Sequence, residues 1–168
     1  AITNLAVWMG VTVTPKDLLL NSDFDSQTII YTYLALGVIL IIKGYSSGQF
    51  NFKKHFKFSY LHYGIHITYI ALLAGYFFYY TSPVAIAWML ALAILSLLMY
   101  RDAFKNQSFY FLLLVVLYSY IAISCLFVRM SIAIDDIGGI YLALLYFIGS
   151  AVGVILLLIN LNKKLKAA

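Results

Sequence analysis

His62 and His66 are the residues of this sequence best placed to do chemistry. They lie four apart in an apolar run, so a helix there presents both imidazoles on one face. Tyr69 follows on that face, with Tyr63 close by. Ionisable side chains inside an apolar run mark a site by default, and a His pair at this spacing can grip a metal ion. A zinc site needs third and fourth ligands from His, Cys or carboxylate, however. The only other histidine is His55, Cys125 belongs to another run, and no carboxylate falls inside any apolar run. A bis-His haem would need a ligand from elsewhere. The sequence therefore predicts neither a metal nor a cofactor, and neutral imidazoles hydrogen-bonded to neighbouring helices. His62, His66 and Tyr69 remain the place where a small apolar molecule, a lipid or a quinone, would bind.

Three further patterns carry simpler chemistry. Lys53, Lys54 and Lys57 are interleaved with Phe50, Phe52, Phe56 and Phe58. Alternating bases and aromatics can stack nucleic acid, but next to apolar runs they fit an interfacial segment on anionic lipid headgroups. No nucleic acid is expected as a partner. Asp23 and Asp25 lack the loop glycine and terminal glutamate of a calcium loop and read as a solvated turn. Arg129, Asp135 and Asp136 read as an exposed charge cluster. Gly149 and Gly153 form a small-xxx-small pair, which lets two helices approach closely in lipid; it predicts a packing seam, within the bundle or with a partner. Ala71/Gly75 and Ala87/Ala91 repeat that spacing more weakly.

The elements that must hold these residues follow from composition. Of 168 residues, 64% are hydrophobic and 10% charged, with a mean hydropathy of +0.96. A soluble domain is about half apolar and about a quarter charged, and a chain of this size still exposes roughly a third of its unfolded surface. The surplus apolar surface must face hydrocarbon. Five long apolar runs cover residues 27–42, 58–80, 84–100, 108–128 and 138–161. Each approaches the roughly 20 residues that a spanning helix needs. Runs such as Leu34–Ile42 do not alternate apolar with polar, so they are helices and not barrel strands. Thr81, Ser82 and Pro83 form a tight turn between the second and third runs. The predicted fold is all-α: a polytopic transmembrane helix bundle.

The distribution of charge agrees with these spans. Nine of the eleven Lys+Arg fall between the first and second spans, between the third and fourth, or after the fifth. The alternate connections hold Lys16 and Arg129 with five of the six aspartates. The positive-inside rule then puts the basic side and the C-terminus in the cytoplasm, as expected of a multi-pass bacterial inner-membrane protein. Residues 76–80 and Trp88 are placed as aromatic anchors at the outer boundary, and Tyr100 and Phe109–Phe111 at the inner one. Tyr69, Tyr118, Tyr120 and Tyr146 lie too deep for that role.

The opening stretch, Ile2–Val13, is apolar but too short to span. It reads as a partial sixth span of a chain that continues upstream. Thr14, Pro15 and Asp17 carry the signals of a helix start.

The strings AITNLAVWMGVTVTP, KHFKFSYLHYGIHI, SFYFLLLVVLYSYIAIS and the terminal NKKLK together resemble the C-terminal half of a family of uncharacterised bacterial polytopic membrane proteins, a domain of unknown function. That resemblance implies further spans upstream and supplies no catalytic residues. No phosphate loop, nucleophile elbow or HExxH motif is present, and no span carries a carboxylate for a proton relay. The expected role is non-catalytic: a membrane scaffold or accessory subunit packing against other membrane subunits. The alternative is a binder or transporter at His62/His66.

Overall fold

The computed structural model describes residues 26–49, 54–133 and 137–167, and it is helical almost throughout, with no strand among the described residues. The helices are α1 (Ser26–Gln49), α2 (Lys57–Phe78), α3 (Val84–Lys105), α4 (Phe109–Ile132) and α5 (Ile137–Ala167), with one 3₁₀ turn at Lys54–Phe56. All five are long and apolar enough to cross a membrane. The chain divides into two compact units, one running through Ile86 and the other from Ala87 onward.

In the first unit α1 and α2 run antiparallel at a constant register set by glycines. A Cβ on Gly37 would collide with the Thr68 side chain and come within 2.8 Å of the Thr68 amide nitrogen. One on Gly64 would lie 2.8 Å from the Ile41 nitrogen, and one on Gly44 2.8 Å from the Leu61 side chain. The obstacles at Gly37 and Gly64 include backbone, which cannot swing aside. These glycines are required for the helices to approach this closely. Leu36 and Leu40 of α1 are buried beside them, packed on Tyr60 and Ile67. Thr68, buried at the closest point, donates to the Gly64 carbonyl at 2.7 Å. Its polarity is thus satisfied within its own helix, as hydrocarbon demands.

The turn after α2 is made as the sequence predicts. The Tyr79 and Tyr80 amides bond back to Gly75 and Phe77 at 3.0 and 3.3 Å. Ser82 then caps α3, its hydroxyl accepting from the Val84 amide at 3.3 Å. Pro83 stands where no amide is needed.

In the second unit hydroxyls link the helices. Tyr120 of α4 and Ser150 of α5 share a hydrogen bond of 3.2 Å, and Ser124 and Tyr146 share one of 3.0 Å. The two bonds lie four residues forward on α4 and four back on α5, which makes the pair antiparallel. Ser150 also donates to the Phe147 carbonyl at 3.3 Å; since a hydroxyl has one proton, Tyr120 is the donor in its bond. The Phe127 and Tyr146 rings stack beside this clasp, 4.0 Å between centroids and 13° apart in plane. Ser119 of α4 donates to Ser96 of α3 at 3.2 Å. At one end Ala103, Leu112, Val116 and Leu161 form a small core. The α3–α4 connection closes with the Ser108 amide on the Ala103 carbonyl at 2.9 Å and the Gln107 amide on the Phe104 carbonyl at 3.1 Å. This is a Schellman ending, with Gln107 at φ 49° where glycine is usual.

Several helix ends differ from the expected ones. The sequence predicts that the first span stops at Ile42, where Lys43 begins a polar stretch, yet α1 runs on to Gln49. The cause is tertiary: Gly44 and Ser47 are buried, and Gly44 and Gly48 lie against Leu61 and Lys57 of α2. The third, fourth and fifth helices likewise run past residues 100, 128 and 161, to Lys105, Ile132 and Ala167. At about 1.5 Å per residue, the 31 residues of α5 reach roughly 46 Å, well beyond a hydrocarbon core of about 30 Å. The partial span at residues 1–13, the helix start at Thr14–Asp17, and the acids Asp23, Asp25, Asp135 and Asp136 lie outside the described residues.

Candidate functional site

The structure brings His62 and His66 together. Their ring centroids are 4.7 Å apart and the rings meet edge to face at 74°. Phe58 stacks on the other side of His62, with centroids 6.0 Å apart and 12° between planes. Tyr63 meets His62 edge-on at 5.0 Å. Both imidazoles are half-buried, whereas Tyr69 is fully buried. The three therefore share a helix face but not an accessible surface. Among the described residues no three His, Cys, Asp or Glu side chains converge to hold a metal.

Gly149 and Gly153 sit on an open face of α5, where an added Cβ would meet nothing within 4 Å. The seam predicted there is not formed with any described helix; the seams that are formed use Gly37, Gly44 and Gly64. Of the three lysines assigned to headgroups, Lys53 lies outside the described residues, and for Lys54 only the backbone is described, in the 3₁₀ turn. Lys57 is half-buried, its methylene stem close over Gly48 of α1. A lysine can cover apolar surface with its stem and still carry its charge outward. Two of the expected outer aromatic anchors face inward. Tyr76 and Trp88 are buried, and the Tyr76 hydroxyl has no hydrogen-bond partner among the described residues. Phe77 and Phe78 are the exposed members of that stretch.

A further feature of the second unit involves none of these residues. A cavity of about 590 Å³ opens between α3, α4 and α5. Its walls run along α3 from Met89 to Tyr100, along α4 from Val115 to Leu126, and along α5 from Val154 to Leu161. The wall is apolar except for the hydroxyls of Ser96, Ser119, Tyr100 and Tyr120. Ser96 and Ser119 are already bonded to each other, and Tyr120 to Ser150. Apart from the Tyr100 hydroxyl, what remains offers dispersion contacts and shape, the surroundings an apolar guest prefers.

The deep tyrosines find their explanation here. Tyr120 and Tyr146 clasp α4 to α5, and Tyr69 and Tyr118 are buried. Tyr120/Ser124 and Tyr146/Ser150 repeat one Tyr-xxx-Ser spacing on consecutive helices. That repeat was the signal that these helices pair.

No family model, curated protein or solved structure matches this chain. Its class rests on the helices themselves: five apolar spans, as in a multi-pass integral membrane protein.

Proposed function

We propose that this chain is a non-catalytic membrane scaffold or accessory subunit, whose work is to pack against other membrane helices. One observation carries the reading. Between residues 140 and 160 no residue of α5 is buried, and Gly149 and Gly153 lie open in the middle of that face. Glycines give helices close backbone approach in lipid, and α5 holds two of them on a surface that α3 and α4 leave uncovered. The segregation of nine of the eleven Lys+Arg to alternate connections supports a C-terminus on the cytoplasmic side. Together with the resemblance to a bacterial polytopic family, it supports the cytoplasmic membrane as the location.

The test is the mass of the assembly in nanodiscs and mild detergent. Wild type forms a defined complex with a second membrane chain or copy. Gly149→Leu/Gly153→Leu loses that complex while helix content and thermal stability are kept, because the added side chains meet nothing in the chain itself. A wild type that is monomeric in both media, or a variant that assembles normally, contradicts the proposal.

A further inference from the structure

We propose that the cavity between α3, α4 and α5, together with the cations at its end, binds one anionic phospholipid, with an acyl chain in the cavity and the phosphate among Arg101, Lys105, Lys163 and Lys164. The inference is independent of the scaffold reading, since neither Gly149 nor Gly153 lines the cavity.

Length is the first argument. The Ser96–Ser119 bond sets α3 and α4 level, and on that register Tyr100 faces Val115 and Met89 faces Leu126. These are the two ends of the cavity wall on both helices. Eleven residues of helix span roughly 16 Å, about the depth of one leaflet of a hydrocarbon core about 30 Å thick. The cavity thus starts near one membrane boundary and ends near the midplane, as a lipid tail does. Its volume, about 590 Å³, falls within the range of roughly 300–1,000 Å³ usual for sites that take a single small molecule.

Charge is the second. Just beyond Tyr100, α3 carries Arg101 and Lys105, and just beyond Leu161, α5 carries Lys163 and Lys164; all four are exposed. Ala103 and Leu161 belong to one core cluster, so these two basic stretches flank the same end of the unit. Asp102, half-buried, is the one acid between them. Cations at the headgroup level over an apolar slot complement a molecule with a negative head and a long apolar tail. A neutral quinone or a zwitterionic lipid would use the slot and leave the cations unanswered.

The experiment uses the full chain in nanodiscs made from equal parts phosphatidylglycerol and phosphatidylcholine. Native mass spectrometry after gentle release reads the lipid retained. A phosphatidylglycerol with a photoreactive acyl chain maps where the tail lies. One phosphatidylglycerol per chain is expected, with cross-links on cavity positions such as Ala93, Leu97 and Ile123. Replacing all four cations, Arg101→Gln/Lys105→Gln/Lys163→Gln/Lys164→Gln, should lower retention at least about tenfold, given that each basic residue near a surface contributes a few-fold. Ala93→Trp, which fills the slot and leaves the cations in place, should lower it as well. Equal retention of phosphatidylcholine, cross-links scattered over all helices, or cross-links at these positions to a second copy of the chain would each overturn the proposal. The wild-type cross-linking map decides the matter even where a variant fails to fold.

Discussion

Between α1 and α2 the closest approaches fall on glycines, and side chains from one helix reach the backbone of the other. Between α4 and α5 the links are hydroxyl pairs and stacked rings, side chain to side chain. Both pairs are antiparallel and both must hold together without the hydrophobic effect, because lipid tails are as apolar as leucine. The first pair relies on dispersion at close range. The second relies on a few directed bonds, and it borders the cavity lined by α3, α4 and α5. In this molecule a seam of missing side chains brings a helix against its neighbour's backbone, and a seam of polar clasps joins side chain to side chain.

Several substitutions separate the two modes. The largest effect is expected at Gly37→Leu. The new side chain runs into Thr68 and its backbone, and overpacking of this kind costs about 1–3 kcal/mol, more when backbone must move. Steric-trap unfolding in bicelles should show the loss. Stability within about 0.5 kcal/mol of wild type would mean that the α1–α2 contact is looser than described. A double-mutant cycle on Ser124→Ala and Tyr146→Phe should give a smaller coupling, about 0.6 kcal/mol and at most about 1.7, the range measured for hydrogen bonds between membrane helices. Zero coupling would mean that the Ser124–Tyr146 hydrogen bond adds nothing beyond the stacked Phe127–Tyr146 rings.

Tyr76→Phe should be neutral or stabilising by up to about 1 kcal/mol, since it removes a buried hydroxyl that lacks a described partner. A clear destabilisation would reveal an acceptor outside the described residues. The smallest effect is expected at Gln107→Gly. It relieves a left-handed backbone position at the end of α3 and should stabilise by about 0.5–1 kcal/mol in the same unfolding assay. No gain would mean that the Gln107 side chain offsets the strain.

The spans were legible because nothing in a soluble chain resembles five such apolar runs, and the structure keeps all five. Their ends were less so. Lys43 reads as the edge of the membrane, but Gly44 and Ser47 continue the packing against α2, which only tertiary contact can reveal. Glycine spacing was a partial guide. Gly149 and Gly153 have the expected pattern and face open space, while Gly37 and Gly44, seven apart, form the seam with Gly64. Spacing shows which residues share a face; it does not show which face is covered. The Tyr-xxx-Ser repeat was there to be read, whereas the cavity was not. It is lined by residues of three helices, and no single segment encodes it.

Everything described depends on these helices lying in hydrocarbon with the basic ends on one side. The direct measurement is single-cysteine labelling in sealed vesicles, on a Cys125→Ser background, with a membrane-impermeant maleimide. Cysteines at Lys105 and Lys164 should label from one side only, and those at Ser82 and Ile132 from the other. Cysteines at Leu90, Leu117 and Ile148 should not label from either. Ready labelling of the mid-helix positions, or positions 105 and 164 on opposite sides, would contradict the account.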